Sequence, residues 1–410
     1  MNLKGVMAMP DKVNHILLKG FQLYTEETII HNGYIKIKNQ KIVELGSVND
    51  LIKEAEFEII EVPSHYKAIP GFIDVHIHGV NGADVMDADK SALETMVTSL
   101  PKEGTTSFLA TTMTQAIEEI EKALINAGQF IKEQDLEGKA EILGIHLEGP
   151  FVNPKKAGAQ PIQYMIEPNL SVFKKWQELS NGHIKLVTLA PEITGGLEMI
   201  RYLKANGIIA SIGHTDASYE EAIKAVDAGA THITHLYNQM TGLHHREPGV
   251  VGAALLHDEI KAEMIVDGVH VRPEMINLAF KLKQKEGLIL ITDSMRAKCL
   301  KNGQYDLGGQ QVNVRDGKAF LDDGTLAGSI LRLGDAVRNV VGFTGCSLED
   351  AIEMASINPA KQLNVFNRKG TIAVGKDADI VILDEHLNVK MTFCRGALAF
   401  SKEENSHENY

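Results

Sequence analysis

His76 and His78 stand two apart at the end of the apolar stretch Gly71-Phe72-Ile73-Asp74-Val75. Side chains two apart on a strand share a face, so both imidazoles can enter one cavity. There they would grip a metal ion or serve as ordinary polar groups at a strand end, and the spacing alone allows either. Further clusters follow strand-like segments downstream. Gly144-Ile-His-Leu-Glu-Gly-Pro-Phe places Glu148 where a strand turns into a loop, Ala210-Ser-Ile-Gly-His-Thr-Asp-Ala offers His214, Thr231-His-Ile-Thr-His-Leu-Tyr-Asn offers His235, and Ile291-Thr-Asp-Ser-Met offers Asp293. Singly, each could be a helix cap or a hydrogen-bonded polar residue, and His232 is read that way. Jointly, carboxylates and imidazoles without thiolates suit Zn2+, Fe2+ or Mn2+ with a position left open for water. A divalent ion lowers the pKa of a bound water from roughly 15.7 to about 7, so hydrolysis is the natural output. Asp293 could then take the water's proton and hand it to a leaving amine. Its alternative role is to cap the following turn.

These residues need elements that bring them together. Strand-like runs alternate with helical ones, the pattern of βα units around a parallel sheet. The strands fall at Phe72 to His78, Ser107 to Thr112, Ile142 to Glu148, Lys185 to Ala190, Ile208 to His214, His232 to Leu236, Ala262 to Asp267 and Leu288 to Asp293. Helical patterns separate them at Ser91 to Glu103, Gln115 to Lys132, Gly196 to Asn206, Tyr219 to Ala228 and Pro273 to Glu286. Eight such units predict an α/β (β/α)8 TIM barrel over residues 70–369, with a doubly wound open sheet as the rival. The barrel is preferred because only a closed ring brings all those strand ends around one mouth. Short strands and turns from Val13 to about Val62 and again from Lys369 to Phe400 cannot build cores alone. They predict a small discontinuous β-sandwich domain from residues 1–69 and 370–410.

The chain has 410 residues, 44% hydrophobic and 23% charged, which suits a globular protein. A formal charge of −13 argues against general nucleic-acid binding while leaving room for a local anion pocket. The expected ligand is a small molecule. Three widely spaced cysteines, Cys299, Cys346 and Cys394, fit free thiols in a reducing, cytoplasmic compartment. No apolar run is long enough for a membrane span, Met1 to Pro10 lacks a secretion signal, and Ser401 to Tyr410 reads as a frayed tail.

Pro70-Gly-Phe-Ile-Asp-Val-His-Ile-His-Gly, the later histidines, Asp293 and Gly375-Lys-Asp-Ala-Asp-Ile-Val together resemble the amidohydrolase superfamily. Its amino-sugar phosphate deacetylases are the nearer likeness. That rests on His146-Leu-Glu-Gly-Pro-Phe, Gly213-His-Thr-Asp-Ala, His235-Leu-Tyr-Asn, Arg246-Glu-Pro-Gly, Asp267-Gly-Val-His-Val, Thr292-Asp-Ser-Met and Leu326-Ala-Gly-Ser, in that order.

The resemblance implies that Glu148, His214 and His235 bind the main metal, that Asp293 is the catalytic acid/base at the metal, and that His76 with His78 holds a second ion where there is one. It implies a sugar-phosphate pocket lined by Ala159, Gln160, Asn238, Gln239, Arg246, Asp267, His270, Leu326, Ala327 and Gly328. Arg246 would come from a neighbouring subunit, which implies a homodimer. The implied reaction is removal of acetyl from an N-acetylglucosamine 6-phosphate in amino-sugar catabolism. Two positions depart from the pattern. Gln160 stands where some members carry a histidine that polarises the substrate carbonyl, so an amide N–H would take that role. Gln239 stands where alanine is expected. The rival readings are an amidohydrolase acting on a cyclic amide or purine-like ring, and a catalytically silent barrel.

Overall fold

The stretch Phe72–Ile77 is buried at every residue, without in-and-out alternation. A strand covered on both faces requires this, and it is the mark of a parallel sheet wrapped by helices. The computed structural model describes residues 15–52 and 56–402, and within it eight strands, buried over most of their residues, follow one another in chain order. They are Phe72–Ile77, Thr105–Thr112, Glu141–Glu148, Ile184–Leu189, Ile209–Ile212, His232–Ile233, Lys261–Ile265 and Leu288–Ile291, each pairing in parallel with the next.

The last strand meets the first. Ile77 bridges Ser294 in parallel, Asp293 N–H donates to the His76 carbonyl at 2.8 Å, and His78 N–H donates to Ser294 O at 2.9 Å. Asp74 strengthens the seam by accepting from the Thr292 hydroxyl at 2.6 Å. The sheet is therefore a closed barrel, and the open doubly wound alternative falls away.

Helices between the strands follow the expected pattern. Tyr219–Ala228 begins at a reciprocal cap in which the Ser218 side chain and the Glu221 carboxylate each accept the other's backbone N–H. The predicted helix Ser91 to Glu103 stays α-helical only over Lys90–Ser99, because Pro101 lacks the N–H an α-turn needs, and a 3-10 turn Leu100–Glu103 finishes it. Among the described residues no helix is long and apolar enough to cross a membrane.

Several strands end earlier than the sequence pattern suggests, among them those that stop at Ile212, Ile233 and Ile291. The cause is local. His214, His235 and Asp293, just beyond those ends, have φ of 47°, 31° and 48°, a left-handed backbone that cannot continue a ladder. Besides a short hairpin of Gly79–Val80 with Ala83–Asp84, a larger sheet was not foreseen: Gly303–Leu307, Gln310–Arg315 and Lys318–Phe320 form an antiparallel insert after the last barrel strand. Its turns are Gly308-Gly309 and Asp316-Gly317, all at positive φ as two-residue hairpins prefer.

The two ends of the chain pair as expected. Lys67–Pro70 runs antiparallel to Ile380–Leu383, joining N-terminal and C-terminal strands in one hydrogen-bonded sheet. Its core includes Leu18, Phe21, Ile35, Ile382 and Phe393. The tail from residue 403 onward and the first 14 residues lie outside the described residues.

The Gly375-Lys-Asp-Ala-Asp segment ties this sheet to the barrel. Arg368 reaches Asp377 at 2.8 Å and Glu141, on the third barrel strand, at 2.7 Å, while Lys369 reaches Glu141 at 2.9 Å. Burial would raise the pKa of Asp377, but Lys369, Lys41 and Arg368 outweigh it and hold the carboxyl at about 2. A carboxyl with a depressed folded pKa gives stability that is present above its unfolded pKa of about 3.9 and is lost as pH falls towards its folded value. Urea unfolding between about pH 4 and 2 is therefore expected to show a shallower loss of stability in Asp377→Asn than in the wild type. Identical slopes would remove Asp377 from the acid response.

Candidate active site

Each ligand-type side chain sits at the C-terminal end of a barrel strand, where loops begin. Glu148 closes the third strand, and the chain turns away at once through Gly149, whose φ of 73° favours glycine. A Cβ on Gly149 would lie 2.1 Å from the Thr114 hydroxyl, so the turn also depends on bare backbone. Gly213, before His214, has the same need: its Cβ would stand 2.6 Å from Thr234.

The far-apart segments converge. Glu148 Oε1 is 3.3 Å from both His214 Nε2 and His235 Nε2, and those nitrogens are 3.1 Å apart. A tetrahedral site with bonds of about 2.0–2.2 Å has edges of roughly 3.3–3.6 Å; the two separations from Glu148 match it and the His214–His235 one is slightly shorter, so a small spread of the two rings fits the three atoms to one divalent ion with a fourth position open. His214 Nδ1–H donates to the Lys156 carbonyl at 2.8 Å, which leaves Nε2 with its lone pair turned to the cluster.

Beside this trio, His76 Nε2 and His78 Nε2 lie 3.4 and 3.3 Å from Asp293 Oδ1. The same nitrogens lie 3.3 Å from Glu148 Oε1 and Oε2 respectively, so Glu148 touches both groups. His76 Nε2 is buried and makes no hydrogen bond among the described residues, as befits a ligand lone pair. His76, His78 and Asp293 thus form a second cluster able to hold a cation.

The electrostatics agree. Burial would raise the Glu148 pKa, but His76, His214 and His235 hold it well below the carboxylate range. Asp293 is lowered against burial by His76 and His78. Burial would depress His78, yet Asp293 and Glu148 push it up to about 10.

A cavity of about 340 Å³ opens over the cluster. Of the residues expected to line it, Ala159, Gln160, Asn238, Gln239, His270, Leu326 and Gly328 do so. Ala327 is fully buried behind them, its N–H donating to the insert sheet at Ala319 O. Asp267 stands one step back, accepting from His270 Nδ1–H at 2.6 Å. Arg246 is not among the lining residues: it is exposed on the loop at 242–247 and contacts His245. His232 bonds Glu263 at 3.0 Å.

Gln160 is held from both ends of its amide. Its Oε1 accepts from the backbone N–H of Thr114 at 2.9 Å, which fixes the amide so that Nε2 donates to Glu148 Oε2 at 2.8 Å. One of the two N–H donors of this amide is thus engaged in orienting Glu148. The sequence reading also passed over Glu263, a fully buried carboxylate on the seventh barrel strand, and Leu307 of the insert, which lines the cavity. A lone Glu in the apolar run Ala262-Glu-Met-Ile was the available signal.

A closed parallel barrel that gathers imidazoles and carboxylates at one end of its strands defines a hydrolase of the amidohydrolase class, and residues 68–399 match the amidohydrolase family. The chain is 51% identical over 391 residues to an N-acetylglucosamine-6-phosphate deacetylase of Bacillus subtilis (strain 168), covering 95% of this chain and 98% of that one. It is 36% identical over 383 residues to an N-acetylgalactosamine-6-phosphate deacetylase of Escherichia coli O157:H7, covering 93% and 99%. Among solved structures, an N-acetyl-D-glucosamine-6-phosphate deacetylase of Mycobacterium smegmatis in complex with N-acetyl-D-glucosamine-6-phosphate superposes with a TM-score of 0.88 at 30% identity, covering 95% of this chain and all of that one. The chain belongs to the family of the N-acetylglucosamine-6-phosphate deacetylases.

Proposed function

We propose that the protein removes the acetyl group from N-acetyl-D-glucosamine 6-phosphate, giving D-glucosamine 6-phosphate and acetate, in amino-sugar catabolism. The observation that carries this is the meeting of Glu148, His214 and His235 at one point beneath a cavity of substrate size. In this reading Glu148, His214 and His235 hold the main ion, Zn2+, Fe2+ or Mn2+, and His76 and His78 with Asp293 hold a second. Such an ion supplies an electrophile and lowers the pKa of coordinated water. Asp293 takes a proton from the attacking water and delivers it to the amine nitrogen as the C–N bond breaks, so one carboxylate serves both halves. His270, steadied by Asp267, and Arg246 receive the phosphate. Arg246, exposed and outside its own cavity, completes the pocket of a partner copy in a homodimer. The three free thiols fit a cytoplasmic address.

Acetate release from N-acetylglucosamine 6-phosphate should vanish on chelation and return on adding back Zn2+, Fe2+ or Mn2+. Two charge-assisted contacts to phosphate predict a kcat/KM at least about a hundredfold higher for the phosphorylated sugar than for free N-acetylglucosamine. Equal values for the two would reject phosphate recognition.

A further inference from the structure

Glu263 has no place in the reaction just described, yet it lies fully buried among the histidines. Its surroundings fix the direction of every hydrogen bond. Gln362 Nε2, a donor only, meets His232 Nδ1 at 3.3 Å, so His232 carries its proton on Nε2 and donates to Glu263 Oε1 at 3.0 Å. The backbone N–H of His235 donates to Glu263 Oε2 at 3.1 Å. His76 Nδ1 lies 2.9 Å from the same oxygen. Because a carboxylate only accepts, His76 must hold its proton on Nδ1, and its Nε2 lone pair then faces Glu148 and Asp293.

We infer that Glu263 is a positioning residue that sets the tautomer and ring orientation of His76, and so governs cation binding at the His76, His78 and Asp293 cluster. The carboxylate is well suited to this. His232 and the His235 backbone anchor it from the far side, so it cannot follow His76 if the ring swings. His76, His146 and Glu263 also come close enough to suggest another ion. However, the Glu263 oxygens already accept three hydrogen bonds and His76 Nδ1 donates one of them, so although His146 Nδ1 has no hydrogen-bond partner among the described residues, this group is read as support rather than as a site.

The inference rests on the cation reading of the cluster, and the experiment separates the two. The metal-free chain is titrated with Zn2+ calorimetrically, Co2+ spectra report coordination geometry, and nitrogen NMR reports the His76 tautomer. If the wild type binds no ion, the cation reading itself fails. If it binds, Glu263→Met should weaken binding at the His76 position by roughly 10–100-fold, the usual effect of losing such a partner, and alter the Co2+ bands. Glu263→Gln, which retains one acceptor oxygen, should lose less and partly restore the Nδ1–H tautomer. In a His76→Asn background either change should cost nothing further at that position. Should Glu263→Met fail to fold, Glu263→Gln is judged on the same readouts. Wild-type affinity with an unchanged His76 tautomer in a folded variant would overturn the inference, as would an equal loss in the His76→Asn background.

Discussion

Glu148→Gln is expected to reduce turnover to that of the chelated enzyme. Glu148 Oε1 faces His76, His214 and His235, each at 3.3 Å, and Oε2 faces His78 and the Gln160 amide. An amide would keep the volume but remove the negative charge and turn N–H donors towards nitrogens that must keep lone pairs for a cation. Without the ion, water's pKa returns from about 7 to roughly 15.7, so the loss in kcat should be at least about 10⁴-fold. Elemental analysis should find the variant depleted in metal. Full metal content together with wild-type turnover would contradict the place given to Glu148.

Asp293→Asn should act differently, cutting kcat by about 10²–10⁴-fold while folding and the ion held by Glu148, His214 and His235 stay near normal. Asparagine tolerates the left-handed backbone that Asp293 adopts at φ 48°, and the backbone bonds to His76 O and from Ser329 N do not involve the side chain. What is lost is the ability to take a proton and return it to the departing amine. Steady-state kinetics beside a thermal unfolding curve and metal analysis would check this. Unimpaired turnover would remove Asp293 from the proton transfers.

Much of this arrangement was legible from residue order. The apolar runs marked eight barrel strands, and Glu148, His214, His235 and Asp293 stood out because each polar side chain followed such a run. The left-handed turns at His214, His235 and Asp293 were not legible, since any residue with φ that positive reads locally as a continuation of its strand. They are also where strain is held at the site.

Glu263 escaped notice for a related reason. Both faces of a barrel strand are buried, so alternation cannot say whether a lone Glu in Lys261–Ile265 points into the barrel or towards the helices. Gln160 was placed at the cavity, but its partner depends on the backbone of Thr114, 46 residues away, which spacing does not reveal. The insert sheet, polar and short, carried only its Gly308-Gly309 and Asp316-Gly317 turns as a signal.

The most direct test of the whole account is anomalous diffraction at the zinc edge from crystals of the Zn2+-loaded chain. The account predicts a peak within about 2.0–2.2 Å of Glu148 Oε1, His214 Nε2 and His235 Nε2. Loaded crystals with no peak there, or with zinc bound only at other residues, would contradict it.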